Sequence, residues 1–171
     1  MFDQITHYIS VADGRHAILV VGAGLTMWAA VNDLRCFRIP NRIPVALVVT
    51  GTVWVLLSGS DTLHHLAAAV GMLAIGFGLY AARLFGAGDA KLMSALALWL
   101  GPVMSVGFFF QTAIFGAILG LFWLRTRRVR TVLVGLGFDI APEPPRYIPY
   151  GVAIAMAGLV GFIRLWPALS V

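Results

Sequence analysis

The chain has 171 residues, of which 60% are hydrophobic and 11% charged, against roughly 25% charged in an average soluble domain. With a mean hydropathy of +0.92, this excludes a soluble globular domain, a disordered chain and a water-soluble nucleic-acid binder. The net charge of +5 reads as a topology signal, because cytoplasmic loops of membrane proteins carry excess Lys and Arg.

Along the chain, residues 1–16 form a polar segment of mixed charge. It lacks the basic start and directly following apolar run of a cleavable signal. Six apolar segments follow: Ala17–Val31, Ile43–Leu57, Leu66–Phe85, Leu92–Leu100, Val103–Leu124 and Ile148–Trp166. The fourth is short against the ~20 residues that a span needs. It either extends from near Ala90 to Gly101 or is re-entrant, and Gly101-Pro102 supplies a turn or break after it. The frequent glycines within the segments read as small-residue helix packing. Residues 125–147 form a basic loop with a Pro-rich end.

Ten of the twelve Lys and Arg fall in alternate connections. Arg35, Arg38 and Arg42 follow the first segment, and Arg83 and Lys91 the third. Arg125, Arg127, Arg128, Arg130 and Arg146 follow the fifth. The intervening connections carry none. Six spans, with both termini outside and the basic connections in the cytoplasm, satisfy this pattern. A five-span arrangement would put the Arg-rich connections on opposite sides. The expected fold is therefore an all-α polytopic membrane protein of about six transmembrane helices, with a single domain whose core covers about 17–166 and with no soluble domain.

The chain has seven acidic residues. Asp3, Asp13, Asp61, Asp139 and Glu143 read as solvated surface. Asp33 closes the first apolar run and Asp89 lies between the third and fourth, so the topology puts both at the cytoplasmic edge. An ionisable group there is costly unless it is paired or faces water. Two carboxylates at one depth on different helices have a chemical use if they meet. Such a pair does not ionise twice easily, so one acid keeps its proton while the other activates a water. The alternative is local pairing, Asp33 with Arg35 and Asp89 with Lys91. The glycines of Gly86-Ala87-Gly88-Asp89 favour the first reading, since glycine permits positive φ and close backbone approach. The run lacks the longer pattern of a phosphate loop.

Asp33-Leu34-Arg35 with Ile39-Pro40-Asn41, followed by Gly86-Ala87-Gly88-Asp89-Ala90-Lys91, resemble the two signatures of the prepilin peptidases, or type IV leader peptidases, a branch of the Gly-x-Gly-Asp intramembrane aspartic proteases. The resemblance runs from about Ala17 to Leu124 and extends to the stretch from Ile148 to Ala153. In size the chain is similar to the short, CpaA-like form of the Flp/Tad pilus systems. The resemblance implies that Asp33 and Asp89 are a catalytic pair in a bacterial inner-membrane enzyme. It further implies that the substrate is a pilin-like precursor, whose short basic leader is cut at the cytoplasmic face just before its hydrophobic helix. Larger relatives carry paired cysteines and also N-methylate the product. This chain has only Cys36, so methyltransferase activity is expected to be absent.

Gly86, Gly88, Lys91, Arg35 and Asn41 are the expected supporting or substrate-binding residues. Pro40 restricts its predecessor to extended conformations. His64-His65 reads as a polar outer loop. No metal, cofactor or nucleic-acid partner is expected, and the partners are the precursor and the lipid bilayer. Two other readings are a small ion- or proton-coupled transporter and a non-catalytic assembly factor of a pilus or secretion system. The first needs acids deep within the spans, and the second tolerates loss of the carboxylates.

Overall fold

The computed structural model describes the backbone of residues 2–135 and 148–166, with side chains for 14–126 and 148–166. Five helices follow in order: α1 (Phe2–Cys36), α2 (Arg42–Ser58), α3 (Thr62–Ala81), α4 (Ala87–Gly135) and α5 (Tyr150–Leu165). Helix α1 runs through the polar head that was expected to precede it. Helix α4 likewise continues through residues 125–135, the first part of the expected basic loop. The remainder of that loop, with Arg146, Asp139, Glu143 and the Pro-rich end, lies outside the described residues, as do the side chains of Asp3 and Asp13.

The boundaries follow from local chemistry. Phe37, at φ +51°, ends α1, and Pro40 keeps the next residues out of the helix. Gly59 closes α2 in the left-handed conformation at φ +70°, the usual glycine stop. Asp61 then caps α3, its side chain accepting from the Leu63 and His64 backbone N–H groups. The carboxyl of Asp61 is also hydrogen-bonded to His64 Nδ1 at 2.6 Å, and this contact holds it below the usual carboxylate range.

Helix α4 contains the expected fourth and fifth segments as two limbs. They are divided at Gly101, whose φ of +68° and ψ of 178° are not helical. That combination is open essentially to glycine alone, and Pro102 restarts the helix without an N–H to leave unpaired. The chain folds back here. Ser105 Oγ donates to the Ala97 carbonyl at 3.4 Å, although eight residues along a straight helix rise about 12 Å. The second limb returns until Gly116 lies against the Tyr150 hydroxyl and Trp123 meets Phe37 edge-on at 6.4 Å.

The first limb is the centre of the bundle. Leu92, Met93 and every residue from 95 to 100 are buried. It lies antiparallel to α3, so that Gly76 admits Ala90, Ser94 Oγ donates to the Ala69 carbonyl at 2.9 Å and His65 Nδ1 meets the Leu98 carbonyl at 2.7 Å. His65 is thus a half-buried tie between helices rather than a loop residue. Trp99 is wedged between α1, α2 and α5. A Cβ on Gly22 would lie 2.7 Å from its ring and one on Gly51 2.6 Å, and Phe162 packs on it edge-on at 5.0 Å. The Trp99 indole N–H donates to the Leu47 carbonyl at 2.9 Å. Gly22, Gly51 and Gly76 therefore act as expected, letting large side chains and helices come close, whereas nothing lies within 4 Å of a Cβ placed on Gly24, Gly71 or Gly78.

The outer faces are apolar, with Val20, Val45, Val53, Leu56, Phe77, Val103 and Ile118 among the exposed residues. Among the described residues, three stretches are long and apolar enough to cross a membrane: Gly14–Cys36, Thr62–Ala81 and Ala87–Thr126, the last containing the bend. Helices α2 and α5 are apolar but have 17 and 16 residues. Length and apolarity thus qualify three stretches, against the six spans expected.

Candidate active site

Asp33 sits in the last turn of α1 and Asp89 in the first turn of α4. Both line one cavity of about 530 Å³, with residues 37–41 on one side and 86–89 on the other. The fold therefore brings together two acids 56 positions apart in the sequence.

Each carboxylate is held through its Oδ2 by a backbone N–H. Asp33 is only 6% exposed and accepts from the Gly151 N–H at 2.7 Å. That donor belongs to the first turn of α5, where backbone N–H groups have no partner within the helix and favour negative charge. A Cβ on Gly151 would lie 2.8 Å from Asp33 Oδ2 and 2.8 Å from Ile39 Cδ1, so the contact depends on glycine. Asp89 reaches back to the Gly86 N–H at 3.0 Å. This is the reciprocal half of a capping box, with the acid at the third helical position.

Local ion pairing is not what holds them. Among the described residues the only salt bridge joins His64 to Asp61. Lys91 turns away from Asp89 and donates from Nζ to Asn41 Oδ1 at 2.9 Å. That bond joins the 37–41 loop to α4, and it explains why Asn41, at the N-cap of α2, makes no side-chain capping bond. Arg35 is exposed and does not line the cavity.

Gly86 and Gly88 both line the cavity, and neither has positive φ. Their missing side chains leave room instead. A Cβ on Gly86 would sit 3.0 Å from Asp89 Oδ2, and one on Gly88 would sit 3.2 Å from Ile39 Cβ. The first keeps space for the carboxylate, and the second lets the loop after α1 close on α4.

Sequence reasoning missed three contributors. Arg38 lines the cavity but was legible only as a topology charge. Gly151 was noticed as part of the last apolar segment, yet a backbone donor leaves no side-chain signal of its partner. Tyr150 packs its ring on Phe85 at 4.6 Å and its hydroxyl against Gly116, fixing the turn that carries Gly151.

A profile of the type IV leader peptidase family matches residues 20–121, more than half of the chain. The chain belongs to the type IV leader peptidase, or prepilin peptidase, family. No characterised protein and no solved structure matches it significantly. Membership makes the chain a leader peptidase-type protease of the membrane. The matched residues contain both acids, the 37–41 loop and the Gly86–Asp89 run, whereas the leader peptidase's Gly151 lies beyond them.

Proposed function

We propose that the protein is a membrane-embedded aspartic endopeptidase that removes the short basic leader from type IV or Flp-type prepilins at the cytoplasmic face of the bacterial plasma membrane. The observation that carries this reading is the shared cavity of Asp33 and Asp89, in which, among the described residues, neither acid forms a salt bridge. In the proposed reaction a water held between the carboxylates loses a proton to the ionised acid and attacks the scissile carbonyl. The protonated acid donates to the carbonyl oxygen. The tetrahedral intermediate then collapses as the leaving amine takes a proton, and the peptide C–N bond breaks. The two acids titrate as one unit, and the scheme uses no metal or covalent intermediate. The Gly-x-Gly-Asp run supplies the second acid, and methyl transfer is not part of the activity.

The membrane arrangement we infer has six crossings with both termini outside. The fold-back at Gly101 supports it, by giving the fourth and fifth segments opposite directions. The alternating basic connections support it as well.

Asp33→Asn and Asp89→Asn, made separately and co-expressed with precursor, test the chemistry. Each is expected to reduce cleavage by about 10²–10⁴-fold, the usual worth of an acid–base group, with the protein still accumulating in the membrane. Wild-type cleavage by either variant overturns the dyad. Pilus assembly that survives both substitutions would instead mark a non-catalytic assembly factor.

A further inference from the structure

A second space adjoins the catalytic cavity. It holds about 460 Å³ between α2, α3 and α4 and is lined by Pro44, Val45, Val48, Val49, Leu73 and Ser94, with Asn41 and Lys91 at its mouth. It exists because α2 and α3 hardly touch each other while both pack on α4. Its α2 wall, from Asn41 to Val49, rises about 12 Å, or roughly two helical turns. Val45 and Val49 are 60% and 58% exposed, and among the described residues no side chain covers them.

Asn41 lines both spaces, and the Lys91–Asn41 hydrogen bond forms the sill between them. On one side of the sill lie two carboxylates and Arg38. On the other lies an apolar trough along the inner turns of α2. A polypeptide laid across the sill meets a polar environment first and an apolar one within a few residues.

We propose that this trough is the docking site for the apolar stretch of the precursor that adjoins the cleaved bond, seated as one or two helical turns along α2. The proposal rests on the catalytic reading of Asp33 and Asp89. The continuity of the two spaces selects this occupant over a bound lipid. A chain held by its apolar part in the trough presents its polar part to the carboxylates, so the groove sets which bond is cut.

Val48→Trp and Val49→Trp fill the trough from exposed positions and leave the cavity untouched. Each is expected to raise KM for the full precursor by about tenfold, a typical effect of overfilling a packed site. Each should leave unchanged the cleavage of a short peptide that spans the bond but lacks the apolar stretch. A photo-crosslinking amino acid at position 49, placed in the uncut Asp89→Asn background, should attach to the apolar stretch of the precursor. Crosslinks to phospholipid alone, or equal behaviour of the two substrates in the Trp variants, overturn the groove. Cleavage by Asp89→Asn overturns the catalytic reading instead, and the two failures are read from different measurements.

Discussion

One oxygen of each acid is tied to a backbone N–H, and this sets how little the site tolerates. The Gly151 N–H meets Asp33 Oδ2 at 2.7 Å in a buried setting, and any Cβ at 151 enters the space of that carboxylate. Gly151→Ala is therefore expected to displace Asp33 and lower kcat by about 10–10²-fold, in line with the sensitivity of oriented groups to shifts near 1 Å. KM for the precursor should change little. Steady-state kinetics on purified enzyme check this, and a change confined to KM would show that Gly151 acts elsewhere. The two acids were legible in the sequence because ionisable groups at a hydrocarbon edge are conspicuous. Their holders were not. Lys91 is two residues past Asp89 in sequence and looked like its counter-ion, yet it bonds Asn41 fifty positions away. Charge spacing shows which groups are near, while the helix register decides which of them meet.

Among the elements, the first limb of α4 departs furthest from its appearance in the sequence. As the shortest apolar segment, it looked the least like a span. It is instead a buried limb packed along α3, with Trp99 fully buried at its far end between α1, α2 and α5. A helix buried on every side is hydrophobic all round and shows no amphipathic direction, so its place at the centre left no periodic trace. The break after it did leave one, in Gly101-Pro102. Gly101→Ala is expected to destabilise the protein by about 1–3 kcal/mol, the usual strain of a side chain in that backbone region. A Cβ there would also sit 2.9 Å from the His65 ring. Thermal unfolding in detergent measures the loss, and an unchanged midpoint would mean that the bend is not held by this geometry.

For the whole molecule, large apolar side chains lie exposed on all five helices among the described residues. Apolar patches this extensive do not persist in water. Their presence was legible from composition, but the number of crossings was not, since two helices are short and two segments share one element. Topology is open to a direct test, because Cys36 is exposed and is the only cysteine. A membrane-impermeant maleimide should label it in inverted vesicles and not in intact cells. Cys36→Ser/Ser60→Cys should show the reverse, and labelling of both positions from the same side would refute the six-crossing arrangement. The tether on Asp33 also bears on how the protein divides. The two acids lie in the part that resembles its relatives, while the amide that clasps one of them comes from the final helix. A fragment stopping at residue 135 should insert and yet stay inert, and supplying residues 136–171 as a separate polypeptide should restore turnover by complementation, making that closing helix an integral part of the smallest working enzyme.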